Sequence, residues 1–297
     1  MTGPAALAID IGGTKIAVGL VDGDGAILCR EQMATAGHAG PEALFEALVC
    51  LLDRLGWRDT GYDVRVCGVG CGGPMAPGGV TVSPLNIPVW REFPLRERLS
   101  ELTGLDVRID NDAKALALAE GWRGVASGVG NFVGMVVSTG VGGGIVLEGR
   151  LLGGEQGNAG HIGHVNVEPD GHRCPCGARG CLEAEASGTA IARITGRPAS
   201  EASPEVIARA GTHVGRAVAS VANLLDLRLA VVAGSVALGY GAPFFAAAQA
   251  ELDRRARLAF AAGARIVPAG LGDAGPLVGA AAVGWAGIGH DIGVVVR

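Results

Sequence analysis

The sequence predicts an α/β protein built from two related lobes, and three observations carry that reading. Short apolar runs of strand length alternate with longer segments whose apolar residues recur at helical spacing. A strand, a glycine turn and a second strand occur in succession twice, at 6–21 and again at 131–149. No sequence period of 20–50 residues accompanies this duplication, so paired lobes fit and a solenoid does not. With 297 residues the chain can bury a proper core without stapling.

ALAIDI (6–11) and IAVGLV (16–21) flank GGTK, and a third run, AILCR, follows DGDG, which reads as a hairpin meander. Residues 41–56 carry apolar positions at helical spacing, with Pro41 early and Gly56 as the stop. VRVCGVG (64–70) reads as a buried strand entering a glycine cluster. VRID (107–110) is a strand, and DAKALALAEGW (112–122) a helix. NFVGMVVSTG (131–140) and IVLEG (145–149) are strands separated by the turn VGGG. Residues 204–226 read as helix, 227–235 as a buried strand and 242–262 as a long helix.

Apolar residues make up 49% of the chain and charged residues 18%, with a net charge of -5. That balance argues against a disordered tail or a general nucleic-acid binder. The start, MTGPAALAIDIGG, lacks the basic flank and long apolar run of a secretory signal, and no stretch reaches about 18 uninterrupted apolar residues. The expectation is a soluble, cytoplasmic protein with small-molecule partners and no nucleic-acid or membrane partner. Seven cysteines in such a compartment argue against a disulfide framework. Cys29, Cys50, Cys67 and Cys71 read as small buried hydrophobes.

In DIGGTK (10–15) the glycines let backbone N–H groups approach phosphate oxygens, and Thr14 adds a hydroxyl donor. Asp10 repels phosphate but suits a magnesium ion or its water shell. A plain G-G hairpin explains the same letters. The P-loop spacing does not match, and the dinucleotide fingerprint is absent from the strand-to-helix turn where it would belong. STGVGGG (138–144) is a second turn of this form, and two such hairpins fit a nucleotide clamped between paired lobes. Asn111 and Asp112 stand between a strand and a helix, where either is a good N-cap. Cys174, Cys176 and Cys181 form C-x-C-x4-C, and His164 offers a fourth donor for a tetrahedral Cys3His site.

Taken in order, DIGGTK, GCGGP (70–74), NIPVW (86–90), IDNDAKALALAEG (109–121), STGVGGGIV (138–146), GNAGHIGH (157–164), CPCGARGCLE (174–183) and LGDAGPLVGAA (271–281) resemble the ROK sugar kinases, within the actin-like ATPase superfamily. The resemblance implies a two-lobed actin-like (ribonuclease H-like) fold with an interlobe active-site cleft. It divides the chain into a small lobe at 1–112, joined by 284–297, and a larger lobe at 113–283 that carries the metal motif. It also implies transfer of the γ-phosphoryl group of ATP to a sugar 6-hydroxyl, with Asp112 as general base and Asn111 orienting the ring. Sugar contacts would come from Asn86, Asn111, Asp112, His161, His164 and Glu183. Phosphates would rest on Gly12, Gly13, Thr14 and Lys15 and on Thr139, Gly140 and Gly142, with magnesium near Asp10 and Gly234 near adenosine. His164 and the three cysteines would hold structural zinc, with no open position for hydrolytic chemistry. A homodimer or homotetramer is the expected assembly, and polyphosphate is an alternative donor.

The chain departs from the pattern in two places. The family reads G-E-x-G-H where this chain has Gly160-His161-Ile162-Gly163-His164. Imidazole offers one donor and one acceptor, whereas a carboxylate only accepts. The expected substrate is therefore glucose or a glucose-like amino sugar of the kanosamine type, the alternatives being plain glucose with His161 as a neutral change, or an N-acylhexosamine. Lys114 stands where the family has asparagine and reads as solvent-facing. ROK repressors carry an added helix-turn-helix ahead of the first motif, and with Asp10 so near the start the expectation is a kinase. A non-catalytic sugar-binding regulator would be expected to lack Asp112 or the glycine turns.

Overall fold

The computed structural model describes residues 3–296. Their contacts group into two units, one built from the chain up to Gly128 with Arg150–Ala159 and Leu271 onward, the other from Val129–Gly149 and Gly160–Gly270.

In the first unit β1 (Pro4–Ile11), β2 (Lys15–Asp22) and β3 (Ile27–Ala34) form an antiparallel meander. After α1 (Pro41–Leu55), β4 (Asp63–Cys71) returns parallel to β1. After α2 (Leu95–Thr103), β5 (Val107–Asn111) adds parallel to β4 and leads directly into α3 (Asp112–Trp122). The sheet order is β3-β2-β1-β4-β5. Every residue of β1 from Ala5 to Ile11 is buried, so both faces of this central strand are covered, which is why it reads as an unbroken apolar run. The helix ends follow local chemistry: Pro41 opens α1, and Gly56, at φ 63°, closes it by donating its N–H to Leu52 and Asp53.

The second unit starts with the antiparallel pair β6 (Phe132–Val137) and β7 (Val141–Leu147). Before the second unit resumes, a short β8 (Arg150–Leu151) belongs to the first unit, where its Leu151 N–H donates to Val295 at 2.9 Å. Then come α4 (Leu182–Ala186), α5 (Gly188–Thr195), α6 (Pro204–Leu225), β9 (Leu229–Ala233), α7 (Ser235–Tyr240), α8 (Ala242–Arg255) and β10 (Arg265–Pro268). β9 runs parallel to both β6 and β10, giving the order β10-β9-β6-β7. α6 and α8 pack on each other over a core that includes Val214, Ala217, Phe244 and Ala248. Finally α9 (Gly275–Gly287), which belongs to the first unit and is apolar on all sides, packs on β1, β4 and α3 within that unit.

Three readings of the sequence change here. VGGG is not a turn: β7 begins at Val141, and the turn is Ser138–Gly140. The glycines answer a close approach, since a Cβ on Gly143 would lie 2.9 Å from Ile162 Cγ2 and 3.1 Å from the Gly160 carbonyl. The helix from 242 stops at Arg255, because Gln249 accepts the N–H of Ile266 and donates to the Ala264 carbonyl, folding the following segment back towards β10. Cys67 and Cys71 are buried, but Cys29 is half-buried and Cys50 exposed. Among the described residues no helix is long and apolar enough to cross a membrane.

Candidate active site

The first unit gathers eight of the sequence-predicted positions around the carboxyl-terminal ends of β1, β4 and β5. The β1–β2 hairpin closes through Gly12, whose N–H donates to Lys15 at 3.0 Å. Thr35, which carries no sequence signal of its own, braces this turn: its hydroxyl donates to the Gly12 carbonyl at 2.7 Å, and its N–H to Thr14 at 3.0 Å. Gly12 is half-buried, and Gly13, Thr14 and Lys15 are exposed, so the turn presents backbone rather than a wall of side chains. Asn86 lies against it, and a Cβ on Gly13 would meet Asn86 Cβ at 2.5 Å. The segment bearing Asn86 is held by buried Ile87 and Trp90, and Trp90 Nε1 donates to the Pro41 carbonyl at 3.1 Å.

Asn111 is the N-cap of α3, its Oδ1 accepting from the N–H groups of Ala113 at 3.0 Å and Lys114 at 3.4 Å. The capping role is thus taken by Asn111, while Asp112 sits at the first helical position with Oδ1 accepting the Ala113 N–H at 2.8 Å. Burial pushes the Asp112 carboxyl above its ordinary value. Asp10, 9% exposed at the end of β1, is pushed up to about 7, first by burial and then by Asp112, against a smaller opposing pull from Lys15. Two neighbouring desolvated carboxyls form a setting in which a cation or a proton is strongly preferred. Lys114 is not solvent-facing: it is 5% exposed, with Nζ 2.9 Å from Asp110 Oδ1 and donating to Gly157 at 3.0 Å.

The second unit holds the rest. The Ser138–Gly140 turn is tied by Ser138 N–H to the Gly140 carbonyl at 2.9 Å, and the start of α5 docks on it through Gly188 N–H to Ser138 at 2.7 Å and the Thr189 hydroxyl to Thr139 at 2.9 Å. Ser235 reaches the same turn, its hydroxyl 2.9 Å from that of Ser138. Thr139 and Gly140 lie in this turn, Gly142 lies one residue inside β7, and Gly234 ends the β9 segment where a Cβ would collide with the Val137 carbonyl. Glu183 on α4 accepts the Val141 N–H at 2.9 Å, which leaves its other carboxylate oxygen for a ligand.

His161 and His164 belong to one helical turn, with ring centroids 6.1 Å apart. Gly160 precedes them at φ 101°, its Cα so close to β7 that a Cβ would stand 2.5 Å from the Gly143 carbonyl, so the backbone under His161 is fixed by packing. The ligand atoms of His164, Cys174, Cys176 and Cys181 all lie within 4.8 Å of one another. Cys174 Sγ is 3.8 Å from His164 Nδ1, and Cys176 Sγ 3.7 Å from Cys181 Sγ. A tetrahedral ion with bonds of about 2.3 Å to sulfur and about 2.0 Å to nitrogen has ligand edges of about 3.5–3.8 Å, so the donor set fits such an ion and is far from a disulfide. His164 faces this cluster through Nδ1, leaving Nε2 on the opposite edge of the ring. Glu185 on α4 braces the intervening loop, accepting the His172 N–H at 2.6 Å.

The family model described as ROK family matches residues 6–285. The chain belongs to the ROK family. An N-acetylmannosamine kinase of Citrobacter koseri is 39% identical over 251 residues, which span 79% of this chain and 84% of that protein. The crystal structure of a ROK hexokinase from Thermus thermophilus matches with a TM-score of 0.83 at 34% identity, covering 96% of this chain and 99% of the other. A ROK glucokinase from Streptomyces griseus, crystallised with glucose and AMPPNP, matches with a TM-score of 0.81 at 29% identity, covering 94% and 99%. This ROK chain therefore has the two-lobed actin-like ATPase fold of its structural neighbours.

Proposed function

We propose that this chain, an ATP-dependent sugar kinase of the ROK family, transfers the γ-phosphoryl group to the 6-hydroxyl of an N-acylated hexosamine of the N-acetylmannosamine type. The observation that carries the sugar assignment is His161, an exposed imidazole on a fixed backbone where the family pattern has a carboxylate. An N-acyl group presents a carbonyl acceptor beside an N–H donor, and imidazole, with one donor and one acceptor, complements both. The ammonium of a kanosamine-type sugar only donates and would match a carboxylate better. The similarity to N-acetylmannosamine kinases supports the same choice.

In the reaction Asp112 accepts the proton of the sugar hydroxyl as the phosphoryl group moves, and Asn111 orients the ring. Asn86, His161, His164 Nε2 and Glu183 are the further sugar contacts that the family pattern implies. The turns at Gly12–Lys15 and Thr139–Gly142 receive phosphates through backbone N–H groups, with Gly234 near adenosine. Asp10 would hold magnesium, whose charge relieves the paired carboxyls and screens the phosphates. His164, Cys174, Cys176 and Cys181 would hold zinc in a closed site that stiffens the loop between His164 and Glu183.

The test is sugar-dependent ADP release with N-acetylmannosamine, N-acetylglucosamine, kanosamine and glucose, repeated with polyphosphate in place of ATP. The N-acylated sugars with ATP are expected to give the highest kcat/KM, and a clear preference for glucose or kanosamine overturns the assignment. Asp112→Asn is expected to lower kcat by about 10^3 while ATP affinity stays within about two-fold.

A further inference from the structure

A lysine carries a point charge on an apolar stem and rarely goes below the surface without partners. Lys114 is 5% exposed, and both of the partners described for its ammonium are structural: Asp110 Oδ1 at 2.9 Å and the Gly157 carbonyl at 3.0 Å. The same oxygen of Asp110 accepts the N–H of Asn111 at 2.8 Å, and Asn111 in turn caps α3. The ammonium thus closes a run of charge-assisted bonds around Asn111 and Asp112. At its other end it holds the loop 153–159. Three further bonds of that loop are local: Ala159 N–H to Gly153 at 2.9 Å, Gly157 N–H to Gly154 at 3.4 Å, and the Asn158 amide to Gln156 at 3.1 Å. Residues 152–158 are exposed and bury no apolar anchor, so local bonds alone leave the loop little to hold it in place. Gly160 and His161 follow it directly in the chain.

We propose that Lys114 is a positioning residue for sugar binding, tying the loop that leads into His161 to the turn that carries Asp112. This rests on the sugar-kinase reading above. Asparagine, which the family pattern has here, is too short to span from α3 to a carbonyl while also pairing with Asp110, so the tether is a feature of this chain. Its effect is on the sugar and not on the nucleotide, because neither end of the tether touches the Gly12–Lys15 turn.

Two variants test it. Lys114→Met removes the ammonium and keeps the stem, and the double variant Asp110→Asn with Lys114→Met also removes the carboxylate left unpaired. Both are expected to raise the KM for sugar by about ten-fold while the KM for ATP stays within about two-fold. Amide exchange across 153–159, measured without any substrate, is expected to quicken in both, with the double variant melting close to wild type. If the double variant regains the wild-type sugar KM and loop protection, Lys114 only neutralises Asp110 and the tether is refuted. Sugar and ATP KM rising together, or unchanged exchange in the loop, refutes it as well. The sugar used is whichever one the wild type phosphorylates best, so a preference for glucose would remove the N-acyl assignment and leave this test standing.

Discussion

Asp10 and Asp112 face each other across Gly70: a Cβ built on that glycine would lie 3.6 Å from Asp10 Oδ1 and 3.7 Å from Asp112 Cα. The two acids come from the ends of β1 and β5, and β4 between them carries Gly70, so no side chain stands between the two carboxyls.

The pair makes stability depend on pH in a definite direction. The folded Asp10 keeps its proton up to about 7, whereas its ordinary value is 3.8. Between those limits the folded chain binds more protons than the unfolded one, so the favourable contribution is complete below the lower value and is lost as pH rises through the upper one. Asp10→Asn removes the ionisable group. The variant is expected to match wild type near pH 4 and to exceed it by on the order of 2–4 kcal/mol above pH 7 in metal-free buffer. Magnesium should narrow the gap by favouring the ionised wild-type carboxyl. Thermal melts in EDTA across this range decide it, and parallel curves for the two proteins would rule the coupling out.

The thiol cluster allows a clean separation of metal from packing. Cys176 is exposed, so replacing it with alanine opens no cavity, and its loss acts through the ion alone. Cys176→Ala is expected to reduce bound zinc from about one per chain to near zero and to lower Tm by about 5–10 °C. Cys50→Ala, an exposed thiol outside the cluster, should change neither quantity. Wild-type protein that is folded and active without zinc would refute the metal site.

Much of this was legible because the chemistry sits in short spacings. The β1–β2 hairpin is flanked by its own apolar runs, α1 carries both its start and stop residues, and C-x-C-x4-C brings its thiols together within one tight loop. What escaped depends on partners far away in sequence. Lys114 looks like any polar residue on a helix until the Gly157 carbonyl arrives 43 residues later. Val141–Gly144 reads as a turn because glycine runs often are turns, yet here the glycines admit the Gly160–Gly163 segment against a strand. The alanine-rich run after Arg255 has helical propensity throughout, and the Gln249 bonds to Ala264 and Ile266 overrule it. α9 gives no periodic signal because it has no solvent face to set one up.

The choice of sugar can be turned into a reversible exchange at one position. His161 is exposed, and its backbone is held by the approach of Gly160 to Gly143, so a change of side chain there should leave the chain path unaltered. His161→Glu restores the family pattern but takes away the donor: a carboxylate cannot donate to an acyl carbonyl, although it accepts well from ring hydroxyls. One lost hydrogen bond with a desolvated acceptor left behind is worth about 1–3 kcal/mol, or roughly one to two decades. The variant is therefore expected to lose about that factor in kcat/KM for N-acetylmannosamine and to gain on glucose, with the KM for ATP unmoved. His161→Gln separates charge from donation, since its amide keeps a donor and an acceptor without a negative charge. It should retain more of the N-acyl activity than the glutamate does. If glutamate and glutamine lower both sugars equally, His161 discriminates nothing, and the preference must be set by other residues.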